Sequence, residues 1–508
     1  MPPQLPSSER ESGLYLEAHF EADLVRIVKS EPISRVARAR LRAPMLTEDY
    51  ADTSKPDAAE IVLSILNAGG TVLDAFAWPK AARAFFDRPR DQDERGDIEG
   101  GPVDARTTLR ILRVPIRPEA EYLFFYGTES KRIAGAPRRA IFQRPMGLYQ
   151  LRPDVPPLPT PPPLPIPTPI PPKPLPLPYI PLKYRKLWWE RMISTIPPRS
   201  FVKDVQTLVN SGPPATCFDV VILGDGFTDV ELPIFDARAL AIANALMTMP
   251  PFSTMAGSIN VHAVRVVSEQ SGITNCPNAS TPRRTFFEMR GNFNGGGFAG
   301  FVGTDIPERI YLAAEWIAPR EDLEVFLMLA NCNIDGGSAF PDLQLACGTM
   351  GTLMPKAANI AAHEMAHAVA SVCEEYISCV DHDPMFVYPN QATEEDKQAD
   401  LISWKALATP AELDSKNAFL AVHVVGDPFD ANNEPIVAPN LTGTLGLYWG
   451  CQDADPKISG PNACDPYQDP RGAPFYRAMA RCKMRRSFFP FCRVCETQIA
   501  EAIVQASM

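Results

Sequence analysis

The stretch AAHEMAHAVASVCEEY, residues 361–376, places two histidines four positions apart with a glutamate beside the first. On an α-helix, positions i and i+4 share a face, so the rings of His363 and His367 project side by side. Two imidazoles one turn apart can hold a zinc ion. Glu364 is rotated by about 100° from His363. That keeps it near the ion but outside the ligand set, where it can take a proton from zinc-activated water. The surrounding Ile360, Ala361, Ala362, Met365, Ala366, Val369, Ala370 and Val372 make the helix apolar almost all round. Such a helix is buried, and buried imidazoles require partners.

A catalytic zinc usually takes a third protein ligand. Glu374 stands eleven positions after His363 and seven after His367, within ~20° of both on a helical wheel. A straight helix would leave it ~10 Å too far along the axis, so the chain must bend after Val369, with Ser371 as the position for the break. Glu375 is the alternative third ligand if the helix ends early. Cys373 stands six positions after His367, where the HExxHxxGxxH pattern puts its third histidine; a disulfide, for instance with Cys379, is an equal reading of that thiol. His382 and the pair Glu394–Glu395 are more distant alternatives.

Outward from this helix, the 508 residues suffice for two to four domains. The formal charge of −11 argues against a general nucleic-acid binder, which needs a cationic face. Hydrophobic residues make up 45%, enough for a sizeable core. No apolar run reaches the ~20 residues that span a bilayer, and the opening MPPQLP shows no basic segment followed by an apolar one, so no signal peptide is visible. Of the 29 residues from Pro153 to Pro181, 16 are proline. Such a run forms neither helix nor central strand and reads as an extended polyproline II spacer. It divides the chain into a β-rich accessory domain (1–150), a linker (151–182) and a catalytic domain (183–508).

In the first part, LYLEAHF (14–20), LVRIVKSEPI (24–33), TVLDAFAW (71–78), TLRILRVPI (108–116) and YLFFYGT (122–128) read as short strands separated by turn residues, predicting a β-sandwich. AAEIVLSILNAG (58–69) is assigned as a short helix. In the last part, CFDVVILGDGF (217–227) reads as a strand ending in a turn, VELPIFDARALAIANALMTM (230–249) as a helix, SINVHAVRVVS (258–268) as a strand and EDLEVFLMLANCN (321–333) as another. Alternation of this kind predicts an α/β or α+β domain. EVFLMLANCN (324–333), followed by Gly336, Gly337 and Ser338, is the candidate edge strand for an extended peptide, since glycines allow close backbone approach.

These segments resemble peptidase family M64, named for an IgA metallopeptidase. HEMAHAVASVCEEY is similar to its HExxHxxxGLxDEY signature. VVILGDGFTDVELPIF (220–235), PPFSTMAGSINVHAVRVVSEQSG (250–272), LMLANCNIDGGSAF (327–340) and FYRAMARCKMRRSFFPFCRVC (475–495) resemble further family segments in the same order. The resemblance covers roughly 217–503. It implies a zincin-type, metzincin-like fold, one catalytic Zn2+, His363 and His367 as ligands, Glu364 as general base and Glu374 in the position of the family's aspartate. Glu375 and Tyr376 match the Glu-Tyr that follows, and Tyr376 is a possible oxyanion stabiliser. Met484 matches a methionine resembling the Met-turn beneath the metal. Ser371 and Cys373 depart from the pattern. The implied activity is that of a zinc endopeptidase acting on protein or peptide substrates. The alternative is a catalytically inactive zincin-fold binding protein.

All eleven cysteines lie between Cys217 and Cys495. Their confinement to one domain favours disulfides and export, to the cell surface, the periplasm or outside the cell, although a cytoplasmic chain with reduced thiols fits the missing leader. Cys482, Cys492 and Cys495 cluster in sequence but offer no obvious fourth ligand, which argues against a structural four-cysteine zinc site.

Overall fold

The computed structural model describes residues 13–20, 25–33, 60–79, 82–89, 98–105, 109–117, 119–132, 139–151, 201–276, 282–293, 300–351, 354–370, 372–373, 375, 389–392, 394–400, 402–414, 422–423, 444–449, 476–479, 481–484 and 487–507. The proline-rich linker lies outside these residues. The chain divides into two compact units: Met1–Ala82 with Arg106–Pro198, and Arg83–Ala105 with Arg199–Met508.

Among the described residues, nine strands precede the linker: β1 (Gly13–Phe20), β2 (Val25–Ile33), β3 (Glu60–Leu66), β4 (Val72–Pro79), β5 (Ala82–Pro89), β6 (Ile98–Ala105), β7 (Leu109–Pro115), β8 (Tyr122–Arg132) and β9 (Arg139–Gln150). In the first unit β2-β1-β7 form one antiparallel sheet and β4-β3-β8-β9 another. Leu16, Ala18, Val25 and Ile27 of one sheet share a core with Ile61, Leu63, Ile65 and Phe125 of the other. Two sheets around one core are a β-sandwich. Residues 60–66 form strand β3, correcting the helix assigned to 58–69. Its residues 61–66 are buried without alternation, and a continuous apolar run of that length does not distinguish an interior strand from a buried helix.

The second unit is built on an eight-stranded sheet. Its strands are β10 (Val202–Val209), β11 (Phe218–Asp225), β12 (Ile259–Val266), β13 (Val325–Ala330), β14 (Gly337–Phe340) and β15 (Leu345–Thr349), with β5 and β6 added from the first half of the chain. The order is β10-β12-β11-β13-β15-β14-β5-β6. The pairs β11·β12, β11·β13 and β13·β15 are parallel, whereas β14 runs antiparallel to both β15 and β5. Helix α1 (Leu232–Leu246) makes the crossover from β11 to β12 and buries Leu232, Phe235, Ala239, Ile242, Ala243 and Leu246 along one stripe.

Helix α2 (Met354–Ala370) follows β15 and lies against β14, β15, α1 and the C-terminal helix α3 (Arg493–Ala506). Ala357, Ala358, Ala361, Ala362 and Ala366 are buried, and side chains this small let a helix lie close on a sheet. Four short strands, β16 (Gln391–Ala392), β17 (Val422–His423), β18 (Leu447–Trp449) and β19 (Tyr476–Arg477), pair in the order β16-β19-β18-β17. The 324–333 segment is not an edge. It forms β13, between β11 and β15, and buries all six residues. The glycine segment after it opens β14. Among the described residues, no helix is long and apolar enough to cross a membrane.

Candidate active site

His363, Glu364 and His367 lie on α2 and are each 0% exposed. The Nδ1 of His363 is 2.9 Å from the carbonyl oxygen of Lys483, and the Nδ1 of His367 is 2.6 Å from that of Val372. A carbonyl oxygen only accepts, so both Nδ1 atoms carry the proton and both Nε2 atoms present a lone pair. Those two Nε2 atoms are 3.2 Å apart. Two lone pairs at that distance repel unless a cation lies between them. Nitrogen–metal bonds of ~2.0–2.1 Å at a tetrahedral angle give an Nε2–Nε2 edge of ~3.3 Å. The pair therefore fits zinc, with the carbonyl partners fixing tautomer and ring orientation.

The helix ends at Ala370, and the Val372 carbonyl turns back within reach of His367. This agrees with a chain that leaves the helix after Val369. Ser371, Glu374, Tyr376 and His382 lie outside the described residues, as do the side chains of Glu394 and Glu395. Glu375 is described and faces other company. Its carboxylate oxygen Oε1 is 3.6 Å from the Sγ of Cys495 and 3.8 Å from that of Cys492, and it accepts a hydrogen bond from Asn390 Nδ2 at 3.1 Å. Burial, with Cys492 adding to it, pushes the Glu375 carboxyl well above the usual range. Asn390 also bonds both the N–H and the carbonyl of Cys373, which brackets the segment 373–375.

Met484 is buried, and its carbonyl accepts the Glu375 N–H at 2.9 Å. The residue before it, Lys483, supplies the carbonyl that holds His363. The 482–484 segment thus reaches both the histidine helix and the chain that follows it.

Glu364 packs on the glycine strand. A methyl group added to Gly337 would come within 2.7 Å of Glu364 Cγ and 2.8 Å of Cδ. Burial first, then the Glu364 carboxylate, pushes the neighbouring Cys347 thiol far above its usual range. Both edges of β14 are occupied, by β15 on one side and by β5 on the other, with Gly337, Ser338 and Ala339 opposite Asp87, Phe86 and Phe85.

At the carboxyl end of β11, Asp225 is an organising residue, where the sequence suggested only a turn. It is fully buried and accepts from Thr285 Oγ1 at 2.8 Å, Met289 N at 2.9 Å and Phe287 N at 3.2 Å. Burial pushes its carboxyl up to about 6, against these hydrogen bonds. The next residue, Gly226, has φ +80° and touches the backbone of Gly272, so the turn itself requires glycine. A disulfide joins Cys276 to Cys332, close to the carboxyl end of β13.

Residues 206–411 match the family IgA Peptidase M64. The match contains His363, Glu364 and His367 and ends before the 482–495 segment. No curated protein matches the chain.

Proposed function

Residues 206–411 belong to the M64 peptidase family, and from that premise we propose that the chain is a zinc-dependent endopeptidase acting on protein or peptide substrates. The observation that carries the reading is the pair of Nε2 atoms 3.2 Å apart, each on a ring fixed by a carbonyl at its Nδ1. When bound, zinc supplies a Lewis acid that acidifies water and polarises the scissile carbonyl.

The protein's own part divides among named residues. His363 and His367 present the two nitrogen lone pairs, and Glu374 adds the third ligand as a carboxylate. Glu364 takes the proton from the attacking water and delivers it to the leaving amine. Tyr376 donates to the developing oxyanion, and Met484 forms the floor beneath the histidines. Gly337 lets the backbone of β14 lie directly against Glu364, with no space for a side chain between them. A peptide adding to β14 would compete with β5 for its edge. The Cys276–Cys332 disulfide supports an oxidising compartment as the place of action.

The test is Glu364→Gln in the full chain, assayed on unstructured protein substrates with chelator controls. Peptide hydrolysis should fall by several orders of magnitude while zinc content stays at the wild-type level. Unchanged turnover would overturn the reading.

A further inference from the structure

We propose a second metal site in this chain: a closed tetrahedral zinc centre formed by Cys482, Cys492, Cys495 and Glu375, separate from the histidine pair. Among the described residues, these four bring one ligand atom each to within 4.8 Å of one another, and all four are buried. The carboxylate is the fourth ligand that spacing alone does not reveal, because it comes from the segment after α2, more than a hundred residues before the thiols.

The distances suit the ion. Zinc–sulfur bonds of ~2.3 Å and zinc–oxygen bonds of ~2.1 Å at tetrahedral angles give a sulfur–sulfur edge of ~3.8 Å and a sulfur–oxygen edge of ~3.6 Å. Cys482 and Cys495 have their Sγ atoms 3.7 Å apart. Glu375 Oε1 stands 3.6 and 3.8 Å from the Sγ atoms of Cys495 and Cys492. A disulfide needs its sulfurs at ~2.05 Å.

Two further observations point the same way. Cys482 Sγ accepts two backbone N–H groups, from Met484 at 3.5 Å and from Cys492 at 3.3 Å. Both bonds leave Cys482 Sγ as an acceptor turned toward the cluster, and Cys492 occupies the N-cap position of the 14-residue helix α3. Glu375 Oε2 is buried and takes no hydrogen bond among the described residues, so the carboxylate has a lone pair to give. Without a cation, a dry carboxylate would stand among three weak S–H donors.

On binding, zinc displaces the protons of the three thiols and of the Glu375 carboxyl, which leave to solvent. Three thiolates and one carboxylate leave a net charge of −2 on the centre. The buried Arg477 acts on Glu375 and the buried Lys483 on Cys482, setting positive charge against it. Thiolates select a soft ion, and a full set of four protein ligands marks a structural site.

The centre would fasten the catalytic machinery from below. It ties Glu375, one residue after the proposed third ligand Glu374, to the turn whose Lys483 carbonyl orients His363. Its existence does not depend on the peptidase reading.

The experiment counts zinc in the full chain by elemental analysis. Wild type should hold two ions and His363→Ala/His367→Ala one. Adding Cys492→Ser or Glu375→Ala to the double variant should remove the last. Cobalt substitution gives a readout that needs no variant, since the histidine pair supplies no sulfur. A thiolate-to-cobalt charge-transfer band in the near ultraviolet should appear in wild type and persist in the double histidine variant. Absence of that band, or a Cys482–Cys495 disulfide found by mass mapping after alkylation, overturns the proposal. Wild type with one zinc that the histidine variant loses also overturns it, leaving the peptidase reading intact. Wild type with one zinc that only the cysteine variant loses supports it and defeats the catalytic zinc instead.

Discussion

Gly337 and Glu364 are in direct apposition: the α-carbon of the first occupies the space beside the carboxylate of the second, and a single added methyl would overlap it. The strand that brings this glycine is paired on both edges, by β15 and by β5, so its backbone is a fixed wall against which the glutamate rests.

Replacing Gly337 with alanine should therefore displace the base without touching the histidines. Displacements of about 1 Å at a reacting group cost on the order of 100-fold in rate. Gly337→Ala should lower kcat by about that factor with zinc content unchanged. Steady-state kinetics with parallel metal analysis checks it. Wild-type kcat would show that Glu364 does not act from this position.

Glu374 and Glu375 should separate cleanly. Glu374→Ala should release the zinc held by His363 and His367, seen as a large loss of affinity in chelator competition, and leave thiolate-bound metal in place. Glu375→Ala should do the reverse. If both variants keep the histidine-bound ion at wild-type affinity, the third ligand is elsewhere.

Asp225 ties acid behaviour to the fold. Its carboxyl, pushed up to about 6 by burial, lies above the ~3.9 of an unfolded aspartate, so the folded state binds more protons between those values. The stability it contributes is fully present below pH ~4 and is lost as the pH rises through about 6, a change of roughly 3 kcal/mol for two pH units of separation. Asp225→Asn should flatten that part of the profile in denaturant titrations between pH 4 and 7. A profile unchanged by the substitution would show that Asp225 is ionised throughout.

Cutting the linker should not release the first half. The chain leaves the first unit at Ala82, passes through β5 and β6 in the sheet of the second, and returns at Arg106. Fragments made by a protease site placed in 153–181 should co-elute in native buffer and part in denaturant. Separation in native buffer would mean that the β5–β14 ladder is too weak to hold.

The parts legible in sequence were those with a local rule behind them. His363 and His367 announce a shared face by their spacing. Helix α1 and strand β12 follow from periodicity, and β11 from an apolar run that ends in a turn. The β-sandwich strands are bounded by turn residues. What escaped is non-local or lies in a run without period. Residues 61–66 and 325–330 are buried on both faces, so no alternation marks β3 as a strand, and the unbroken apolar run of β13 is the sign of an interior strand and not of an edge. The partnership of Glu375 with Cys482, Cys492 and Cys495 needs the chain after α2 to return beside α3, which no spacing rule contains. The hydrogen bond from His363 to Lys483 spans 120 residues and is invisible for the same reason.

The β5–β14 ladder sets an order of events during synthesis. Phe86 and Ser338 face each other across it, yet about 250 residues separate them, and ladders between such distant segments are slow to close. The ribosome produces β5 and β6 long before β14 exists. At ~5–20 residues per second, the two strands wait many seconds with an unpaired edge, the condition in which strands recruit wrong partners. The sandwich strands on either side can pair at once, and they hold the waiting segment as a loop anchored at both ends. The early half of this protein thus acts as the keeper of a strand that the late half will need.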